Sequence, residues 1–163
     1  MPPARRAQQV FFAAYKRLPQ ALKTLLIRAG TPSFHVGAIC VVERPDGHML
    51  LVRQSYRREG WGFPGGLMRR GEEPGDAARR ELQEELGIDV ELHGLPAVVI
   101  DSPKRRVDVV FRAGLGEGSP QPETTTHSPE ISEVRWFPPD GLPELLPEAT
   151  AALIQLGRTY PPR

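Results

Sequence analysis

At 163 residues, with 39% apolar and 25% charged residues, the chain is long enough for one domain with a real core and too apolar to be disordered. Its one cysteine, Cys40, excludes an internal disulfide and fits a reducing, cytoplasmic compartment. Net charge is +1, divided into +6 over residues 1–30 and −5 over the remainder, so nucleic acid is not expected as the main partner of the acidic part.

In chain order, residues 5–29 read as helix, with Phe11, Tyr15, Leu18, Leu22 and Ala29 along one face and Pro19 dividing or kinking it. Three roles compete for this basic extension: covering the protein's own core, a homodimer contact, or an anionic membrane surface. Lys16, Arg17 and Pro19 interrupt the apolar core that a signal peptide needs, although the acid-free, amphipathic character is also that of an organellar transit peptide. No run approaches a transmembrane span, and packing within the protein or a homodimer is expected.

Residues 34–43 form a nearly continuous apolar strand, followed by a Pro45-Asp46-Gly47 turn and a return over 48–54 as its hairpin partner. Strands are expected at 90–92, 97–100, 107–113 and 130–137, a long polar loop at 114–129, and a closing helix at 149–156. The four histidines have no zinc-like spacing. The expected fold class is α+β, an α/β/α sandwich with a mixed sheet between helices. Residues 1–30 are the helical extension and 31–163 the main domain.

Between these strands lies the stretch with the most chemistry, residues 66–88. A glycine turn (Pro64, Gly65, Gly66) and a second turn at Gly71 lead into a helix with Pro74 in its first turn, Asp76 near the positive dipole end, and Gly87 as its stop. Ala78, Leu82 and Leu86 recur every four residues as a buried stripe. Glu81, Glu84 and Glu85 fall at i, i+3 and i+4 on one side. Most charge runs are solvated faces, but clustered carboxylates also suit a hard divalent ion, Mg2+ or Mn2+, and through it phosphate.

The stretch resembles the signature of the Nudix hydrolases, G-x5-E-x7-R-E-U-x-E-E-x-G-U with U aliphatic. Gly66, Glu72, Arg80, Glu81, Leu82, Glu84, Glu85, Gly87 and Ile88 match every specified position. The likeness extends to Trp61-Gly62-Phe63-Pro64-Gly65 before the box and the Trp136-Phe137 region after it, so residues 34–157 fit the family's domain.

The resemblance implies metal-dependent hydrolysis of a nucleoside diphosphate linked to another moiety, such as a nucleoside triphosphate or ADP-ribose. It implies Glu84, Glu85 and the Gly65 carbonyl as metal ligands, and Glu81 as either ligand or general base. Arg80 would orient the cluster, and Glu72 support the loop. A distant acid is expected before the tryptophan, Glu130 with Glu133 as competitor. For the substrate, Trp61 is the candidate for base stacking, and Arg53 and Arg57 for phosphates. Markers of the NADH and coenzyme A subtypes are absent, and Pro103 falls where ADP-ribose enzymes carry a proline, which is also where a hairpin turn wants one. The alternative reading is a non-catalytic ligand sensor, which retention of Glu81, Glu84 and Glu85 argues against.

Overall fold

Strand β1 (His35–Val42) has exposed residues at its start and is buried on both faces from Gly37 to Val42. A computed structural model describes residues 12–13, 15–57, 59–122 and 128–159. The other elements are α1 (Gln20–Gly30), β2 (Met49–Gln54), β3 (Gly65–Leu67), α2 (Pro74–Leu86), β4 (Val90–Asp101), β5 (Arg106–Leu115), β6 (Ile131–Phe137) and α3 (Pro147–Thr159).

Side chains alternate along β1 because successive Cβ atoms point to opposite faces of a strand. Ala38, Cys40 and Val42 therefore pack in one cluster with Ala78, Leu82 and Leu86 of α2. Ile39 and Val41 pack in the other, with Ala149, Ala152 and Leu156 of α3. Strand β2 divides in the same way, Leu50 and Val52 to the first cluster and Met49 and Leu51 to the second. The result is the expected α+β sandwich, a strand layer between two helices.

The layer contains a four-stranded sheet in the order β3-β1-β5-β4 and a two-stranded ribbon, β2-β6. Strands β1 and β5 are parallel, from His35 opposite Arg106 to Val42 opposite Ala113, and the other pairs are antiparallel. The expected β1–β2 hairpin does not form. The turn is made, with Gly47 N–H donating to the Arg44 carbonyl at 2.9 Å, but only one bridge, Glu43 to Met49, joins the strands. The edges of β1 are taken instead, by β5 along its length and by β3 over Gly37–Ile39. Strand β2 pairs with β6, more than 70 residues on, as Leu50 opposite Trp136 shows.

Expected strands at 90–92 and 97–100 are one strand, β4, with a register shift between His93 and Ala97 that contains Gly94 at φ 65°. The chain divides into two compact units, residues 1–34 and 35–163. Within the first, Pro19 precedes α1 in an extended conformation (φ −56°, ψ 148°), so the expected break at that proline is present. The part of the helix expected before residue 12 lies outside the described residues, as do loop residues 123–127. No described helix is long and apolar enough to cross a membrane.

Candidate active site

Helix α2 is shaped by local rules. Pro74 supplies a preset φ at its start, and Gly87 ends it at φ 66°, where its N–H reaches the carbonyls of Leu82 and Gln83. Its buried side includes Ala77, Ala78, Leu82 and Leu86, and also Glu85. Position 85 follows Leu82 by three residues, so it borders the apolar stripe and points inward beside β3.

That carboxylate is 6% exposed and accepts one hydrogen bond, from Gly65 N–H at 3.1 Å. Burial pushes its pKa up to about 7, the charges of Glu81, Glu130 and Glu84 add to the rise, and the Gly65 bond opposes it. Gly65 itself sits at φ 140°, and a Cβ there would lie 2.2 Å from the Ala38 carbonyl oxygen. Only glycine brings the backbone this close.

Arg80 ties the box together. Its Nε and Nη2 donate to the two oxygens of Glu72 at 2.7 and 2.9 Å, a planar fork on a carboxylate. Nη1 donates to Glu81 at 2.7 Å and to Glu84 at 3.1 Å, and Nη2 also reaches the Leu67 carbonyl at 3.2 Å. Glu72 also accepts from Arg69 N–H at 2.7 Å, closing the loop before the helix. Arg80, then this N–H, hold the Glu72 carboxyl down at about 2. Gly66 completes the packing: a Cβ there would meet the Glu81 carboxyl at 2.5–2.6 Å.

These groups line a cleft of about 480 Å³. Its lining includes the carboxylates of Glu81, Glu84, Glu85, Glu130 and Glu148 and the guanidinium groups of Arg57, Arg69, Arg80 and Arg106. Of the two acids nominated before the tryptophan, the structure brings Glu130 to the cleft. Glu133 is bound to Arg53 at 3.0 Å and also to Arg135. Arg57 reaches the cleft but pairs with Glu148 at 2.6 Å.

Trp61 and Arg53 are not brought to the cleft. Trp61 is 5% exposed in the α3-side core, edge to face with Phe137 at 4.9 Å, and the Arg53 guanidinium lies 4.7 Å above its ring. The alternation Trp61-Gly62-Phe63 sends both aromatics into the same core cluster.

Sequence reasoning missed Arg106, Asp108 and Glu148. An acid two residues after an arginine inside an apolar strand was the available signal for the first two, since i and i+2 share a face. Glu148 carried none, being one acid in the first turn of a helix.

A divalent cation fits these donors in kind. Carboxylate oxygens are the hard ligands Mg2+ or Mn2+ prefer, and a cation beside Glu85 would favour the ionised carboxylate that burial, and then the neighbouring glutamates, disfavour. Among the described residues no three such side chains converge as a ready cage, because Arg80 and Arg69 hold the Glu84 oxygens at 3.1 and 2.8 Å. Glu84 is 48% exposed, and its ion pairs are of the weak, exchangeable surface kind.

Comparison with known proteins agrees with this geometry. The family model of the NUDIX domain matches residues 33–156. A MutT-like protein of Streptomyces ambofaciens is 33% identical over 124 residues, covering 76% of this chain and 77% of that protein. An RNA pyrophosphohydrolase of Stenotrophomonas maltophilia is 38% identical over 114 residues, covering 59% of this chain and 55% of that protein's length. A solved NUDIX hydrolase of Nitrosomonas europaea shares the fold with a TM-score of 0.65 at 24% identity, covering 80% of this chain and 75% of that one.

Proposed function

The chain belongs to the Nudix family and is a Nudix hydrolase, and from that premise we propose that it cleaves, with a divalent metal, the diphosphate of a nucleoside diphosphate linked to a further group. The observation that carries this reading is the cleft itself, lined by Glu81, Glu84, Glu85 and Glu130 together with arginines, with Arg80 fixing Glu72 and Glu81.

In this reading Glu84, Glu85, Glu130 and the Gly65 carbonyl would hold Mg2+ or Mn2+. The bound ion neutralises diphosphate charge and lowers the pKa of water. Water would add to one phosphorus as the bridging P–O bond to its neighbour breaks, so that each product keeps one of the two phosphoryl groups which that bond joined. The proton lost by water would pass to a carboxylate, and Glu81 is our candidate for that role or for holding the ion. Arg80 orients Glu81 and Glu84 by its hydrogen bonds, and Glu72 anchors Arg80. Nucleoside triphosphates, nucleotide sugars such as ADP-ribose, and RNA with a 5′-di- or triphosphate all carry the required linkage.

The test is product release from a panel of those compounds, with and without Mg2+, for the wild type and Glu85→Gln. Metal-dependent turnover that the substitution lowers by about a hundredfold or more is expected. A folded, metal-binding wild type that turns over nothing would sink the reading in favour of a ligand sensor. Glu81→Gln separates its two roles: a base loses kcat at unchanged metal affinity, and a ligand loses both.

A further inference from the structure

Strand β5 carries a charged pair, Arg106 and Asp108, and Arg106 lines the same cleft as the glutamates. Asp108 is 2% exposed and sits between Gly37 of β1 and Val99 of β4. A carboxylate so deep is costly unless it is paired. Arg106, two residues earlier on the same face, donates Nε to both Asp108 oxygens, at 2.8 and 2.9 Å.

This pairing uses only Nε. The two terminal nitrogens of Arg106 make no hydrogen bond or ion pair among the described residues, although the side chain is only 31% exposed and lines the cleft. Gly37 provides the space. A Cβ there would lie 2.4 Å from an Asp108 oxygen and 3.1 Å from Arg106 Nη2. Residues of two neighbouring strands thus hold one guanidinium with its outer edge unused. The other arginines lining the cleft are already paired through their terminal nitrogens, Arg57 with Glu148, Arg69 with Glu84, and Arg80 with Glu72, Glu81 and Glu84.

We propose that Arg106 binds an anionic phosphoryl oxygen of the substrate, with Asp108 and Gly37 as its positioning residues. The inference rests on the diphosphate reading above and assigns the phosphate contact to a residue outside the signature helix. A planar fork matches two phosphate oxygens, which an ammonium meets only as a point charge. Arg106 is rigid before the ligand arrives, so little side-chain freedom is lost on binding.

The test is calorimetric titration of inorganic pyrophosphate in Mg2+ buffer, on the full chain. Arg106→Gln is expected to weaken binding about tenfold or more, and Arg106→Lys to restore part of the loss. Asp108→Asn is expected to weaken it several-fold. For any substrate turned over in the panel, both Arg106→Gln and Asp108→Asn should raise KM more than they lower kcat, a split that general loss of structure does not produce. Pyrophosphate affinity unchanged in Arg106→Gln overturns the assignment, as does a wild type that binds none. Failure of the panel alone counts against hydrolysis and leaves the pyrophosphate result to decide Arg106.

Discussion

Gly66 lacks a side chain because the Glu81 carboxyl occupies the space one would need. Gly66→Ala should therefore act on chemistry more than on folding, since the Glu81 side chain is the part able to move. We expect kcat to fall by roughly a hundredfold with a stability loss of only about 1–2 kcal/mol, compared by steady-state kinetics and urea unfolding. Gly65→Ala is the contrasting case, because the obstacle is the Ala38 backbone and φ is 140°. About 3 kcal/mol or more of stability should be lost there, with activity following the folded fraction.

The Glu85 carboxyl makes a pH signature at the same scale. Its pKa rises from 4.5 to about 7 on folding, so between these values the native state holds a proton that the unfolded chain has released. Metal-free stability must therefore fall as pH rises through this window, by at most on the order of 3 kcal/mol. Glu72 has the opposite sign: its contribution is present above pH 4.5 and lost as pH falls towards 2. Urea unfolding in chelator at pH 5 and pH 8 should show the Glu85 loss in the wild type and not in Glu85→Gln. Equal slopes in the two would show that another group is responsible.

Among the elements, those fixed by neighbours in sequence were legible and those fixed by distant partners were not. Helix α2 follows from Pro74, Gly87 and a four-residue apolar repeat, all local. The choice of β6 over β1 as the partner of β2 depends on which strand edges remain open, and apolar alternation is silent about that. The same blindness explains Trp61: an aromatic beside a glycine-rich turn looks available for stacking, yet its strand-like alternation with Phe63 faces the α3 core. The inward turn of Glu85 was also hidden, since spacing groups it with Glu81 and Glu84 without saying which carboxylate meets β3.

The β4–β5 turn supplies a prediction of its own. Arg105 is the only described non-glycine residue with positive φ, at 51°. Left-handed backbone costs an ordinary side chain roughly 1–2 kcal/mol, partly offset in glycine by chain entropy. Arg105→Gly should therefore stabilise the protein by about 0.5–1 kcal/mol in urea unfolding. A loss of stability instead would mean that the Arg105 side chain contributes contacts of its own.

For the molecule as a whole, the sandwich has a built-in spectator. Cys40 is the protein's sole thiol, has no exposed surface, and lies on the α2 side of the central strand. Burial raises its pKa to about 12, so in the folded state it is both covered and un-ionised. A thiol reagent can reach it only when β1 is uncovered. Labelling kinetics thus become a stopwatch for sheet opening without any engineered tag. Under native conditions the modification rate should lie about a thousandfold or more below that of the urea-unfolded chain. A ligand that binds only the folded state should slow it further, in proportion to its occupancy. The compound that slows labelling most would then identify itself as a ligand before any product is detected.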